Sequence, residues 1–140
     1  MTYGFTGTQQ GWSGAQKRTI RRLFSELRVT ELHHGDCIGS DAQADAEAMR
    51  IWSTIVVHPP LDNKRRAFCS GEAHTVLVEK HYKARNNDIA IAGIDGLIAT
   101  PKETIMQVRS GTWATIRYAR ALNRRVIIVY PDGTIKDSLA

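Results

Sequence analysis

Short apolar runs alternate with helical segments along the chain, and this alternation restricts the possible folds more than any other feature of the sequence. Five runs are predicted to be strands: Tyr3–Thr6, Val29–His33, Thr54–Val57, Gly96–Ala99 and Arg125–Tyr130. None of them alternates polar with apolar residues, which is typical of strands covered on both faces. The pattern therefore predicts an α/β fold, a three-layer sandwich with a mainly parallel, five-stranded sheet. At 140 residues, the chain is long enough for one such domain, spanning residues 1–140.

The segments between the strands carry the periodicity of helices that bury one face. The first is capped by Ser13, and its apolar residues recur at helical spacing: Ile20, Leu23, Phe24 and Leu27. The second begins near Ser40, and its inward residues are predicted to be Ala42, Ala46, Met49 and Trp52. A short helix is predicted within Ala73–Lys80, and a longer one over Tyr82–Ala92. The last spans Thr112–Asn123, and its buried face is predicted to hold Ile116, Ala119 and Leu122.

Charge and composition narrow the range of partners. The net charge of +5 favours anionic partners, and basic residues cluster at Lys17–Arg22, Lys64–Arg66, Lys80–Arg85 and Arg117–Arg125. No apolar run approaches the roughly 20 residues of a membrane-spanning helix, so no membrane partner is expected. The N-terminus lacks a secretion signal, and two cysteines are too few for a disulfide framework and have no metal-ligand spacing. A cytoplasmic protein without a metal or cofactor is expected.

Three unusual loops follow predicted strands. They read GFTGTQQG after the first strand, HGDCIGSD after the second and ATPKETIMQVRSGT after the fourth. The carboxyl ends of parallel strands meet at one edge of a sheet, where ligands of open α/β sheets bind. Two of the loops lead into a helix N-terminus, which offers free N–H groups and a partial positive charge to a phosphate. None is a G-x-G-x-x-G or P-loop motif, but together they predict a phosphorylated ligand at this edge.

Four segments resemble, in order, the motifs of the SLOG superfamily. These segments are GFTGTQQG, HHGDCIGSDAQADAEA, ARNNDIAIAGIDGLIATP and RSGTWATIRYARALNRRVIIVYP. The superfamily comprises Rossmann-like nucleotide-binding proteins, including the DprA (Smf) DNA-processing proteins and the LOG-type phosphoribohydrolases. The resemblance covers nearly the whole chain apart from Leu61–Lys80. It implies a single Rossmann-like domain that binds a nucleotide or nucleotide-derived small molecule, in a superfamily where homo-oligomers are common.

The resemblance also implies which residues cradle the ligand. The first loop would supply Gly7 and Thr8, and the second Gly35, Asp36, Gly39, Ser40 and Asp41. The helix before the fourth strand would supply Arg85 and Asn86. The last loop would hold the phosphate on Ser110, Gly111 and Thr112, with Arg109 beside them.

One departure from the superfamily bears on catalysis. The phosphoribohydrolases carry Pro-Gly-Gly-x-Gly-Thr followed by a catalytic glutamate, whereas this chain reads Gln-Val-Arg-Ser-Gly-Thr and continues into Trp-Ala-Thr-Ile-Arg. Asp36, Asp41 or Glu103 could supply the missing carboxylate, with Asp41 as the candidate catalytic residue, although an aspartate there more often serves a helix start. Three functions therefore stay open: nucleotide binding, N-glycosidic cleavage of a nucleoside 5′-monophosphate, and DprA-like binding of single-stranded DNA.

Several other residues stand near these loops. His33, His34 and His58 lie at strand ends and are expected to contact a ligand or cap a strand rather than bind a metal. Cys37 is expected to fill a turn rather than act as a nucleophile. Trp12 and Trp113 could each stack on a base, but the more frequent role of an indole at a loop–helix junction is packing.

Overall fold

The computed structural model describes residues 1–138 of the chain. Its strands are β1 (Thr2–Gly7), β2 (Glu31–His34), β3 (Thr54–Val57), β4 (His74–Val76), β5 (Gly96–Thr100), β6 (Val126–Val129) and β7 (Ile135–Ser138). Its α-helices are α1 (Gly14–Glu26), α2 (Ser40–Arg50), α3 (Tyr82–Ala92) and α4 (Gly111–Ala121), and Asn63–Arg65 forms a short 3₁₀ turn. No helix within residues 1–138 is long and apolar enough to cross a membrane.

The strands form one sheet in the order β4-β3-β2-β1-β5-β6-β7, in which all neighbours are parallel except β6 and β7. The predicted mainly parallel α/β sheet is therefore confirmed, but it has seven strands and not five. The two additional strands lie at the two edges of the sheet. From β1 the chain proceeds outward to β2, and it later returns to β5 on the opposite side of β1. This reversal of strand order puts a topological switch point between β1 and β5.

The two edge strands were not predicted because each is short and polar. The prediction of a helix within Ala73–Lys80 is wrong: His74–Val76 pairs with β3, but three residues are too few to display a period of two. The strand Ile135–Ser138 is largely exposed and returns antiparallel to β6 after the Pro131-Asp132-Gly133 turn. This strand is held by hydrogen bonds to β6 rather than by burial of an apolar face. Its sequence therefore lacks the pattern of a buried strand.

Two apolar clusters cover the two faces of the sheet. The cluster on the α1 and α2 face includes Phe5, Phe24 and Ile55, and the cluster on the α3 and α4 face includes Trp113 and Ile116. This arrangement gives three layers, with the central strands buried between the helices, which explains their continuous apolar runs.

The helix boundaries follow local capping chemistry. Ser13 caps α1 and forms a capping box with Gln16, as the Oγ accepts from the Gln16 amide and the Gln16 side chain accepts from the Ser13 amide. Of the predicted inward residues of α1, Ile20, Leu23 and Phe24 are buried. Each of these three contacts the sheet from the same helix face.

The inward face of α2 differs from the prediction. Ala44 and Ala48 are fully buried, whereas Ala46 and Met49 are exposed and Trp52 is 93% exposed. The buried face of this helix is shared with polar residues: Ser40, Asp41, Asp45 and Glu47. A face built from alanine and hydrogen-bonded carboxylates has no hydrophobic periodicity, so the large apolar residues misled the prediction. In α4, Ile116 and Ala119 are buried as predicted, but Leu122 follows the end of the helix and is exposed.

Candidate functional site

A cleft of about 500 Å³ opens at the carboxyl ends of β1 and β5, at the switch point of the sheet. Ten of the thirteen predicted ligand-binding residues line it: Gly7, Thr8, Gly35, Asp41, Arg85, Asn86, Arg109, Ser110, Gly111 and Thr112. The other three, Asp36, Gly39 and Ser40, lie outside its lining. The structure thus brings together residues that are more than 100 positions apart in the sequence.

Gly39 and Ser40 join the first two loops instead of lining the cleft. The Ser40 amide donates to the Thr8 carbonyl at 3.0 Å, which fixes the start of α2 against the loop after β1. Gly39 has a φ of +86°, and a Cβ there would lie 2.3 Å from the Gln9 carbonyl oxygen. Glycine is required at this position because both its backbone conformation and its contact with a backbone atom exclude a side chain.

Asp36 binds residues 66–69, within the segment Leu61–Lys80 that the family resemblance does not cover. Its carboxylate is fully buried and accepts from Arg66 Nε and from the Cys69 amide, each at 2.8 Å. Its carbonyl accepts from the Ala67 amide at 2.7 Å. Through these contacts, the segment packs beside the loop after β2 and brings Arg65 to the cleft.

The N-terminus of α4 points its free donors at the cleft. Ser110 is the N-cap, and its Oγ accepts from the Trp113 amide at 3.3 Å. Within residues 1–138, the amides of Gly111 and Thr112 have no hydrogen-bond acceptor, as is usual for the first turn of a helix. The positive end of the helix dipole lies at the same point. These features make the turn suited to an anionic oxygen.

The cleft carries more positive than negative side chains. Four cations line it, Arg65, Arg85, Lys102 and Arg109, against the two carboxylates Asp41 and Glu103. Glu103 is already engaged, because its Oε1 accepts from Trp113 Nε1 at 3.1 Å. The excess of positive charge favours an anionic ligand. The sequence analysis missed five residues that line the cleft: Arg65, Lys102 and the glutamines Gln9, Gln10 and Gln107. The basic cluster Lys64–Arg66 was a signal for Arg65.

Arg85 and Asp41 meet at the inner wall of the cleft. Arg85 is 6% exposed, and its Nη1 donates to the Gly35 carbonyl and, at 3.4 Å, to the His58 carbonyl. Asp41 is 5% exposed, and its Oδ2 accepts from the Cys37 amide at 3.2 Å. Its other oxygen, Oδ1, is buried with no hydrogen-bond partner among the described residues. Burial raises the pKa of the Asp41 carboxyl, against the opposing positive charge of Arg85.

Cys37 also lines the cleft, but its environment opposes a nucleophilic role. Burial, with the nearby negative charge of Asp41, raises the pKa of the Cys37 thiol to about 11, although Arg85 acts in the opposite direction. At neutral pH the side chain is therefore a thiol and not the reactive thiolate.

The histidines at the strand ends are bound to other side chains. His33 Nδ1 lies 2.8 Å from His58 Nε2, and His33 Nε2 lies 2.8 Å from Glu31 Oε2. Burial and the neighbouring His33 lower the pKa of His58 to about 4. None of His33, His34 and His58 lines the main cleft, but His58 lines a smaller cavity of about 230 Å³ beside Arg85.

A second group of polar side chains joins β2, α2 and β4. Asp45 accepts from His34 Nε2 at 2.7 Å and from His74 Nε2 at 2.9 Å. Burial acts to raise the pKa of Asp45, but the hydrogen bonds from both histidines outweigh it and lower the pKa. Potential ligand atoms of His34, Asp45 and Cys69 lie within 4.8 Å of one another, a metal-type donor set that the sequence did not reveal. However, the Asp36 amide donates to His34 Nδ1, so Nε2 carries the proton and His34 serves this hydrogen-bond network.

The two tryptophans beside the loops are packing residues in this structure. Trp113 is 3% exposed within the α3 and α4 cluster, and Trp12 packs edge-on against Phe5 with ring centroids 6.4 Å apart. Packing rather than base stacking is the role that was favoured from the sequence.

The sheet order and the cleft at its switch point define a Rossmann-type α/β protein. No protein-family model and no curated protein matches this sequence. The solved structures that share the fold include the following two. The molybdenum cofactor binding protein of the phototrophic bacterium Rippkaea orientalis is 17% identical with a TM-score of 0.68, over 92% of this chain and 76% of that one. The protein TM1055 is 17% identical with a TM-score of 0.59, over 90% of this chain and 72% of that one.

Proposed function

We propose that this protein binds a nucleotide or a nucleotide-derived phosphorylated small molecule in the cleft, with a phosphate on the first turn of α4. The observation that carries the proposal is that the amides of Gly111 and Thr112 have no acceptor among the described residues and open a helix at a cleft with excess positive charge. Arg109 and Lys102 flank this turn and supply further charge for phosphate oxygens. On this proposal the chain is a small member of the SLOG superfamily.

One of the two similar structures supports a small-molecule ligand. The Rippkaea orientalis protein is described as a molybdenum cofactor binding protein, so a protein with this fold holds a cofactor. The present chain shares that fold, and its cleft of about 500 Å³ lies within the size range of small-molecule sites.

Thermal unfolding with a ligand panel tests the proposal. The panel holds nucleoside mono-, di- and triphosphates, nicotinamide and ADP-ribose derivatives, and a short DNA strand. A ligand at 100 times its dissociation constant stabilises the folded state by about 2.7 kcal/mol, which raises the Tm by several degrees. We expect a selective shift with one class of nucleotide. A salt-sensitive shift with DNA alone, and none with any small molecule, would overturn the proposal.

Gly111→Pro tests the phosphate position itself. Proline is favoured at the first position of a helix and removes only the amide hydrogen, which has no acceptor within residues 1–138. The preceding Ser110 is already extended, with φ −83° and ψ 130°, as a residue before proline requires. Because a hydrogen bond to a charged group contributes about 1.5–3 kcal/mol, we expect nucleotide affinity to fall roughly tenfold or more.

Two matched variants separate this effect from changes in folding or shape. Gly14→Pro makes the same change at the first position of α1, outside the cleft lining, and is expected to leave affinity unchanged. Gly111→Ala keeps the amide, and its Cβ would lie 3.9 Å from the Asn86 Nδ2, so binding should persist. Equal affinity of Gly111→Pro and wild type would contradict a phosphate on this turn.

A second candidate function, cleavage of the N-glycosidic bond of a nucleoside 5′-monophosphate, is favoured by one observation. A buried carboxyl with a raised pKa, Asp41, shares the cleft with a second carboxylate, Glu103, and such pairs serve as acid and base in glycosidic cleavage. Incubation with the nucleotide that binds, followed by chromatography for free base, tests it. Release of free base by wild-type protein, lost in Asp41→Asn, would support cleavage. If the nucleotide stays intact with wild-type protein, cleavage is contradicted and nucleotide binding remains as the proposed function.

A further inference from the structure

Among the four cations that line the cleft, Arg65 alone comes from the segment Leu61–Lys80, which the family resemblance does not cover. Its backbone is bound to the loop after β2, since the Ile38 amide donates to the Arg65 carbonyl at 2.9 Å. The next residue, Arg66, is held by the fully buried Asp36, whose Oδ2 accepts from Arg66 Nε at 2.8 Å. These contacts fix the point at which the Arg65 side chain leaves the backbone, so this arginine has a defined place at the cleft.

The guanidinium of Arg65 is oriented without being neutralised. Its Nη1 donates to Gln9 Oε1 at 3.1 Å, and Gln9 belongs to the loop after β1 and also lines the cleft. The glutamine amide carries no charge, and no carboxylate among residues 1–138 forms an ion pair with Arg65. A guanidinium has five N–H donors in a planar fork, so most of its donors and its whole charge remain available to an anion.

Arg65 and the first turn of α4 approach the cleft from two sides of β1. The loop after β2 holds Arg65, α4 follows β5, and β2 and β5 are the two neighbours of β1 in the sheet. Adjacent strands lie about 4.8 Å apart, so the ends of β2 and β5 are separated by roughly 10 Å. The Arg65 side chain shortens this gap by reaching Gln9, and the adjoining Thr8 amide donates to the carbonyl of Thr100, the last residue of β5, at 3.1 Å. One small molecule can therefore contact both sides.

We infer that Arg65 binds a second phosphate group of the ligand, in addition to the phosphate on the first turn of α4. The inference rests on the proposed function and adds the number of phosphates to it. A guanidinium binds two phosphate oxygens at once, so the cleft should prefer doubly phosphorylated nucleotides to monophosphates. A 5′-diphosphate and a 3′,5′-bisphosphate both carry a second phosphate, and they differ in where it is attached.

Isothermal titration with matched nucleotides tests the inference. The probes are the 5′-monophosphates, 5′-diphosphates and 3′,5′-bisphosphates of adenosine, guanosine, cytidine and uridine, at one ionic strength and without divalent metal ions. For whichever base binds, we expect one doubly phosphorylated form to bind wild-type protein about tenfold or more tightly than the monophosphate. The form that shows this gain identifies where the second phosphate is attached. Equal affinity of all three forms would overturn the inference and leave the proposed function standing. Failure of every compound, while the protein remains folded, would count against both.

Two variants with the same change in charge assign the gain to Arg65. Arg65→Gln removes an exposed guanidinium and should abolish the gain from the second phosphate, with monophosphate affinity retained. Lys64→Gln removes one positive charge from the preceding exposed residue, which lies outside the cleft lining, and should keep the gain. A full gain in Arg65→Gln would overturn the inference. Equal loss of the gain in both variants would also overturn it, because the effect would then be one of overall charge.

Discussion

Cys37 shows how a single residue of the cleft can be exposed to ligand and still be chemically inert. Its pKa of about 11 follows first from burial and then from the negative charge of Asp41. The favoured reading of the sequence, a residue that fills a turn, agrees with this environment. A nucleophilic cysteine would need the opposite arrangement, with positive charge dominating around the sulfur.

Alkylation by iodoacetamide measures this property directly. In a Cys69→Ser background, Cys37 is the remaining thiol of the sequence. We expect its alkylation rate at pH 8 to be about 100-fold below that of an ordinary thiol of pKa 9.0, and to rise about tenfold per pH unit up to pH 10. The same variant unfolded in urea is the control and should react with the ordinary profile. A rate that levels off by pH 9 in the folded protein would contradict the raised pKa.

The residues of the cleft were predictable to the extent that they carry local signals. Glycine and hydroxyl residues at strand ends predicted the loops of the cleft, and the family resemblance added Arg85 and Asn86 to the predicted site. Nothing local distinguishes Asp36, which looks like its neighbours in the loop but binds Arg66 and Cys69 at the far side. Its role depends on where residues 61–80 pack, and that packing has no hydrophobic period to reveal it.

Among the secondary-structure elements, α1 contributes to the cleft without lining it. Its third residue, Gln16, is 1% exposed, and its Nε2 donates to the carbonyls of Pro101 and Val129 at 2.8 and 2.9 Å. Pro101 begins the loop that carries Lys102, Glu103 and Arg109. One side chain therefore ties the helix, the end of β6 and the start of the cleft loop together.

Gln16→Leu is expected to destabilise the fold. The change leaves two buried carbonyls and the Ser13 amide without their partner, at a cost of about 2–4 kcal/mol. For a chain of 140 residues this corresponds to a Tm roughly 5–15 °C lower. Differential scanning calorimetry measures it, with Gln10→Leu as an exposed control of the same chemistry that should change the Tm little. Similar Tm values for the two variants would refute a structural role of Gln16.

Some secondary-structure elements were predicted correctly and others were not, because burial of apolar residues holds some of them and hydrogen bonds hold the others. The five central strands and three helices are held by burial, which leaves an apolar pattern that can be read. The strand His74–Val76 is an edge strand held by pairing with β3, and its first residue bonds to Asp45. In α2 the buried carboxylates of Asp45 and Glu47 bond to His34 of β2 and to Arg21 of α1, so hydrogen bonds take the place of the apolar stripe.

At the scale of the whole molecule, two kinds of buried polar groups separate along the sheet. Near the switch point, the amides of Gly111 and Thr112 in the first turn of α4 have no acceptor among residues 1–138, and both residues line the cleft. Beyond β2, His33 bonds to His58, which follows β3, and Asp45 joins His34 of β2 to His74 of β4. The two amides are available to a ligand, whereas the histidine contacts make the free energy of unfolding depend on pH.

His58 allows that dependence to be measured. Its pKa is about 4 in the folded protein, against 6.5 as the ordinary value, so between these values the unfolded chain binds more protons. The contribution of His58 to the free energy of unfolding is therefore fully present above pH 6.5 and decreases as the pH falls toward 4. The slope from this one group is at most about 1.4 kcal/mol per pH unit. Urea unfolding at a series of pH values from 4.5 to 7.5 measures it.

His58→Gln should flatten this slope, since the group that takes up the proton in the unfolded chain is gone. Asp45 does not interfere, because its folded pKa lies below 3.8 and its effect is confined to lower pH. Asp41, with its raised pKa, acts in the opposite direction but equally in both proteins, so the difference between wild type and variant isolates His58. His81→Gln alters an exposed histidine and should keep the wild-type slope. Parallel pH profiles of wild type and His58→Gln would show that the paired histidines do not set the acid limit of this fold.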